Sequence, residues 1–531
     1  MPRTFIDAVR TVAAVAVPVL TAALCVTGCS KDSGSQDKDL QAFDAQTVHW
    51  GPCGQGDTAG WFTGEIPADQ QCGQIVAPLD YSAARGKGLG DTPTVQLAVA
   101  RRPATGQKTG SLLAISGGPG DPGLEMIEMS FPEAVRTDFD IVSYDPRGVG
   151  KSTPTIKCTS QGENAETGTD TDSAEQANRA TVAACVAGTG VDVLRHIGSN
   201  EATDDVDLIR AVLGEQRINL LAASYGTQIA GMYAVRYPDG YRAAVLDGVV
   251  NIAESQNDML IGQKRGYQST FDRVIAYCTG EYRATEHTEC PLGNDPATAT
   301  TSFQQLLRDA DAHPVPAGAT NPVTGGEILT ATTKGLLWKS SWVPYLNALQ
   351  GVRHGDGTAI HELAETGSVT EESGTPAPRH RAGRDSSAQP SDPNAITAIT
   401  CTDTADPTTD RAARQRDAQA RYNASTYENY EPRPTEFPLD VCDLWPFPGA
   451  VHPSVPSRPD SAAPLLFVAQ SHDPTTPLVN AQRMADYMRS PLLIREGDGH
   501  TFVFGDVDPC IDAEVVRYLR DPHSVQNKTC Q

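Results

Sequence analysis

An apolar run at residues 218–222 breaks within a few positions into a helical pattern at 227–237, which Pro238 ends. The junction reads Leu220-Leu221-Ala222-Ala223-Ser224-Tyr225-Gly226-Thr227, with small residues on either side of one serine. A strand that turns this abruptly into a helix needs small neighbours, because the two backbones must approach closely. The turn also lifts its central side chain above the sheet. Few architectures accommodate such a junction, and the surrounding chain has the rhythm of one of them. Strands are expected at 74–80, 94–101, 111–116, 139–144, 242–250, 464–470 and 491–495. Helices are expected at 204–213, 478–488 and 512–519. Strands alternating with helices imply a mostly parallel sheet covered on both faces, an α/β fold.

The rhythm stops after Val250. Residues 251–400 read as helices and loops, with Trp338, Trp342, Tyr345 and Leu349 at helical spacing, which points to helix packing. A mobile loop rich in Ser, Pro, Arg and Asp is expected over about 365–395. The strand pattern then resumes. The expected organisation is therefore a core at 46–250, an inserted helical cap at 251–400, and the rest of the core at 401–531. One interrupted domain explains this order more simply than two independent ones.

The first residues read as an export signal. Arg3 and Arg10 precede an apolar run at 11–24 that is too short for a comfortable membrane span. The run ends in Val26-Thr27-Gly28-Cys29, which resembles a bacterial lipobox. The expectation is a signal peptide at 1–28, lipidation of Cys29, and a polar tether at 29–45 that leaves the folded body outside the cell membrane. Ordinary cleavage and secretion is the alternative. Apart from Cys25 and Cys29, ten cysteines remain, and an even number in an exported chain points to disulfides. Pairing in chain order keeps each bridge local: Cys53–Cys72, Cys158–Cys185, Cys278–Cys290, Cys401–Cys442 and Cys510–Cys530. Zinc is disfavoured because no CxxC or HxxxH spacing occurs. No cofactor is expected. The formal charge of −24 argues against nucleic acid as a partner and suits solubility or cationic ligands.

A serine hydroxyl is a weak nucleophile and needs a base, which in turn needs an orienting acid. Asp473 follows the strand at 464–470, and His500 lies in the loop Gly497-Asp498-Gly499-His500 after the next strand. All three residues thus fall at carboxyl ends of expected strands, in the chain order Ser, Asp, His. Asp247 is a rival acid. His472 is a poorer rival base, because it stands beside the acid. The developing oxyanion needs amide donors already aimed at it, expected from Tyr225 and from Gly118 in the loop Gly117-Gly118-Pro119-Gly120. That loop is not a phosphate loop, since no Gly-Lys-Ser/Thr follows at the right spacing. Arg147 is expected to be structural.

Several segments together resemble the tripeptidyl aminopeptidase family. These are Gly117-Gly118-Pro119-Gly120, Tyr144-Asp145-Pro146-Arg147-Gly148-Val149-Gly150-Lys151-Ser152, Ser224-Tyr225-Gly226-Thr227, Leu246-Asp247-Gly248-Val249-Val250, Asp473 with Thr476-Pro477, and Gly499-His500. Members are secreted or lipid-anchored proteases of actinobacteria, related to prolyl iminopeptidases. The departures are Ala222 where the pattern has glycine, and Ser116 where relatives often carry His or Pro. The resemblance implies an α/β-hydrolase fold and release of short peptides, tripeptides among them, from substrates with a free N-terminus. Recognition of that protonated amine calls for carboxylates, and the cap offers Glu254, Asp258, Glu281, Glu286 and Glu289, although in so acidic a chain each reads first as solvated surface charge. A carboxylesterase or lipase with the same triad, or an inactive binding lipoprotein, are the competing readings.

Overall fold

The computed structural model describes residues 40–62, 66–158, 171–286, 288–318, 321–367, 393–406 and 410–531. The expected signal peptide, Cys29, most of the tether and most of the expected mobile loop lie outside them. Among the described residues ten strands form one sheet: β1 (Gly51–Pro52), β2 (Gln71–Pro78), β3 (Thr94–Arg102), β4 (Gly110–Ile115), β5 (Phe139–Tyr144), β6 (Ile218–Ala223), β7 (Tyr241–Asp247), β8 (Leu466–His472), β9 (Leu492–Asp498) and β10 (Lys528–Cys530). Their order is β1-β2-β3-β5-β4-β6-β7-β8-β9-β10. Pairings from β5 to β10 across the sheet are parallel, and β1, β2 and β3 add an antiparallel edge.

The longer helices are α1 (Thr171–Thr189), α2 (Ser199–Val212), α3 (Gly226–Arg236), α4 (Gln256–Tyr277), α5 (Pro296–Ala312), α6 (Gly325–Gly335), α7 (Trp342–Arg353), α8 (Thr358–Thr366), α9 (Pro393–Thr404), α10 (Arg411–Asn423), α11 (Leu478–Met488) and α12 (Pro509–Arg520). The pleat of β6 sends Ile218, Leu220 and Ala222 into one apolar layer with residues of α2, α3 and α11. Leu221 enters the opposite layer with Ile511, Val515 and Tyr518 of α12. Apolar faces on both sides of the central strands explain why these read as continuous hydrophobic runs.

The chain between β7 and β8 builds a second body. Phe271 of α4, Phe303 and Leu307 of α5, Ile328 of α6, Tyr345 and Leu349 of α7, Ile360 of α8 and Tyr427 share a core that none of these ten strands enters. One boundary differs from expectation: the break at 400/401 falls inside α9, while the sheet resumes at Leu466, within the strand expected at 464–470. Helix α9 instead packs with Val149, Ile156, Leu194, Ile197, Trp445 and Phe447 in a cluster of its own. Trp338 lies outside α7, which begins at Trp342, so the fourfold helical spacing holds only from Trp342 onward.

Five disulfides join Cys53–Cys72, Cys158–Cys185, Cys278–Cys290, Cys401–Cys442 and Cys510–Cys530. Cys401–Cys442 ties α9 to the segment that returns to the sheet, across 41 residues. Restricting a loop of that length in the unfolded chain is worth about 4 kcal/mol. A Cys401→Ala/Cys442→Ala variant should therefore melt several degrees below the native protein in a calorimeter. An unchanged melting temperature would contradict this constraint.

Candidate active site

Ser224 occupies the turn between β6 and α3 at φ 53°, one of the few non-glycine residues in the left-handed region. A side chain there carries a steric cost of roughly 1–3 kcal/mol, so the surroundings must impose the conformation. They do so by close approach. A Cβ on Gly226 would lie 2.6 Å from the carbonyl oxygens of Ile115 and Ser116, so only glycine lets α3 start this near β4. The Ser224 amide donates to the Asp247 carbonyl at 2.8 Å, and Thr227 Oγ1 donates to the Ser224 carbonyl at 2.6 Å. Ala222, where the usual pattern has glycine, is fully buried and its methyl joins the apolar layer.

The loop after β4 runs alongside the serine. A Cβ on Gly117 would stand 3.0 Å from Ser224 Cβ and 3.5 Å from its Oγ. Gly118 follows at φ 103°. Ser116 Oγ closes the loop by donating to the Asp121 carbonyl at 2.9 Å. The buried Asp145 carboxylate accepts from the amides of Gly123, Leu124 and Lys151 at 2.7, 3.0 and 2.7 Å. Arg147 is structural: it is buried, pairs with both oxygens of Asp205 at 2.7 and 2.5 Å, and donates to three backbone carbonyls.

Asp473 and His500 meet across the ends of β8 and β9. His500 Nδ1 lies 2.8 Å from Asp473 Oδ2 and 3.0 Å from Oδ1. The carboxylate also accepts from the amides of Thr475 and Thr476 at 2.8 Å each and from Thr476 Oγ1 at 2.9 Å. These donors fix the carboxylate in place, so that His500 Nδ1 is set to give its N–H to Asp473. Burial pushes the His500 imidazolium towards neutrality, but the charge and hydrogen bond of Asp473 outweigh it, and the net pKa is raised above 6.5. His500 Nε2 is buried and has no hydrogen-bond partner, so in this state the ring is not bonded to Ser224 Oγ. The two residues nonetheless share the end of β7. A Cβ on Gly248 would be 2.9 Å from His500 Cε1, and the preceding residue, Asp247, holds the Ser224 amide. Catalytic hydrogen bonds often tighten only when substrate is bound.

Asp247, the rival acid, points elsewhere. Its Oδ2 accepts the amides of Phe502 and Val503 at 2.6 and 2.8 Å, which fixes the loop after His500. Burial pushes its pKa up to about 6. His472, the rival base, ends β8 and gives its carbonyl to the Gly499 amide. The cap carboxylates do not bond to the three side chains. Glu254 pairs with Arg483 at 3.0 Å, Asp258 takes the Ser255 hydroxyl at 2.7 Å in the first turn of α4, and Glu281, Glu286 and Glu289 are exposed. Among the described residues the one cluster of metal-type ligands, Asp508, Cys510 and Cys530, has both sulfurs committed to a disulfide.

Three contributions escape a reading of the sequence. Thr476 holds the acid from a turn in which an aspartate precedes two threonines, a pattern that signals local capping. Trp338, in the cap, donates its indole N–H to the His500 carbonyl at 2.6 Å and bridges to Gly499. Asp403 and Ser199 contact the side chain of Tyr225 from opposite parts of the chain. No local pattern marks the last two. The two carboxylates near His500 should separate on substitution. Asp473→Asn should keep the melting temperature within a few degrees and lower kcat by about 10⁴-fold, because the imidazole loses its orienting anion. Asp247→Ala leaves two buried amides without an acceptor and should cost about 2–5 kcal/mol of stability. Calorimetry and steady-state kinetics on both variants check this, and the reverse pattern would exchange their roles.

The family described as "alpha/beta hydrolase fold" matches residues 110–342, and that described as "TAP-like protein" matches residues 433–530. Serine protease Hip1 of Mycobacterium tuberculosis is 31% identical over 94% of this chain and 93% of its own length. Carboxylesterase B of the same organism is 30% identical over 85% and 84%. Tripeptidyl aminopeptidase of Streptomyces coelicolor is 28% identical over 89% and 83%. The first match spans the serine turn, the second spans the acid and the histidine, and the relatives run nearly the length of the chain. The protein belongs to the α/β-hydrolases of the tripeptidyl-aminopeptidase-like family and is a serine hydrolase.

Proposed function

We propose that the protein is an exported serine aminopeptidase that releases short peptides from the N-termini of peptide substrates through an acyl-enzyme on Ser224. The observation that carries this reading is the Asp473–His500 pair at 2.8 Å, at the same carboxyl edge of the sheet as a serine held at φ 53° on a turn against a glycine loop. In the first step His500 Nε2 takes the hydroxyl proton as Ser224 Oγ bonds to the scissile carbonyl carbon. The oxyanion is received by the amides of Tyr225 and Gly118. The C–N bond then breaks as His500 gives its proton to the leaving amine. Water, deprotonated by the same nitrogen, attacks the acyl carbon; the peptide acid leaves and the serine proton returns. Asp473 keeps the ring in the tautomer that presents a bare Nε2, and it stabilises the imidazolium.

Peptides are the favoured substrates because of the Hip1 and tripeptidyl aminopeptidase relatives, and a free substrate amine suits a chain of charge −24. Export as a lipoprotein anchored through Cys29 rests on the Val26-Thr27-Gly28-Cys29 sequence and agrees with a chain rich in disulfides. A carboxylesterase with the same triad is the second reading, favoured by the Carboxylesterase B relative.

Hydrolysis of a free-amine tripeptide p-nitroanilide, its N-acetylated counterpart and a short p-nitrophenyl ester should distinguish the two. The proposal expects the free-amine amide to be cleaved at least about tenfold better than the acetylated one, a difference of about 1.4 kcal/mol. Cleavage of the ester alone would favour the esterase. Ser224→Ala should lower kcat by at least about 10³-fold without unfolding the protein. Residual activity within tenfold of native would remove Ser224 from the mechanism. Because the base acts only when neutral and the carboxylate raises its pKa, kcat/KM should fall on the acid side with an apparent pKa above 6.5. A pH profile flat down to pH 5 would contradict His500 as base.

A further inference from the structure

Several buried carboxylates take no part in these proton transfers, and one of them reaches the serine turn. Asp403 lies in the last turn of α9, within the inserted chain, with 2% of its surface exposed. Its Oδ1 accepts the Ser199 amide at 2.7 Å and its Oδ2 accepts Ser199 Oγ at 2.5 Å. Ser199 opens α2, whose own preceding residue, Gly198, offers no side chain to cap the helix. Asp403 fills that role from more than two hundred residues away, and a Cβ on Gly198 would collide with it at 2.4 Å. Since the single Ser199 hydroxyl proton goes to Asp403, the hydroxyl oxygen is left to accept. It does so from Tyr225 Oη at 2.7 Å and Gln228 Nε2 at 2.8 Å. Both donors also reach Asp403 Oδ2, at 3.4 Å. Burial pushes the Asp403 pKa up to about 6, so the anion is retained near neutrality only because these donors surround it.

Tyr225 and Gln228 belong to the turn and first helical residues that carry Ser224. The opposite end of α9 meets the other half of the site: a Cβ on Gly120 would lie 3.0 Å from both Ala395 Cβ and the Ile396 amide nitrogen. Helix α9 is itself fixed by the Cys401–Cys442 bridge and by Thr402 Oγ1, which donates to the Leu194 carbonyl at 2.8 Å. A single helix from the insertion thus touches the supports of both expected amide donors.

We propose that α9 clamps the oxyanion hole, with Asp403 as a positioning residue that fixes the Tyr225 amide through Ser199 and the tyrosine phenol. This rests on the acyl-enzyme reading above. The physical reason is that amide donors stabilise an oxyanion in proportion to how well they are aimed beforehand. The close approach of Gly226 and the bond to β7 impose the left-handed turn at Ser224, and the held tyrosine side chain fixes how the next amide is aimed from it.

The test uses the full chain with Tyr225→Phe, Asp403→Asn and the double variant. Each single change should lower kcat by at least about tenfold with KM within about twofold, and should slow inactivation by a fluorophosphonate in proportion, because phosphonylation develops the same oxyanion. Tyr225→Phe keeps the ring and removes only the hydroxyl, so its melting temperature should stay within a few degrees of native. The double variant should be no worse than the more damaging single one, since both break the same chain of hydrogen bonds. Native-like kcat and inactivation in Tyr225→Phe, or losses that multiply in the double variant, would overturn the clamp while leaving the acyl-enzyme intact. Failure of the native protein to be labelled on Ser224 would instead remove the acyl-enzyme, and the clamp with it.

Discussion

Everything at this site follows from one enforced conformation, the left-handed backbone of Ser224. A strand of the central sheet and the helix that follows it can pass this closely only if a side chain between them accepts φ 53° and if Gly226 contributes no Cβ. The cost is met by burial of β6 and α3 on either side of the turn and by backbone hydrogen bonds to β7. In return the hydroxyl is fixed at the carboxyl edge of a parallel sheet. The loops after β4, β7, β8 and β9 all end at that edge, so each can deliver a different chemical group without any strand changing course.

The insertion between β7 and β8 does more than cover the sheet. Its contacts converge on the loops that hold Asp473 and His500. Tyr267 of α4 shares a hydrogen bond at 3.2 Å with Thr475, whose amide donates to Asp473. Arg273 of the same helix pairs with Asp498, two residues before the histidine, and Trp338 holds the histidine carbonyl. At the far end of the insertion, Asp403 reaches the residue after the serine. The sheet therefore sets which residues can meet, and the inserted helices set how rigidly they do so. Such a division lets substrate preference vary with the cap while the proton-transfer geometry is retained.

Much of this was legible in the sequence. The central strands are buried on both faces, so β4, β5, β6 and β8 stand out as short continuous apolar runs, and the serine turn announces itself by its small residues. The proposed acid and base, Asp473 and His500, each follow such a run. The short edge strands β1 and β10 were not legible, since two or three residues carry no periodicity and pair only because a neighbour is present. Helix α1 gave little apolar signal, because it buries only Ala184 and Cys185. β9 extends to Asp498 beyond its apolar stretch, and the charge at its end is compensated by Arg273 from the cap. The expected break at 400/401 falls inside α9, because nothing local in residues 393–404 says that the helix continues and packs in a cluster away from the sheet. Trp338 and Asp403 act through partners 162 and 204 residues distant, and no local pattern encodes contacts of that reach.

The covalent intermediate is the point on which the account turns. Mixing the native protein with a peptidyl p-nitrophenyl ester, quenching in acid within the first turnover and mapping the peptides by mass would look for it directly. The acyl mass should appear once per chain, on the peptide that contains Ser224. Rapid ester turnover with no acyl adduct, or an adduct on any other residue, would contradict the proposed chemistry.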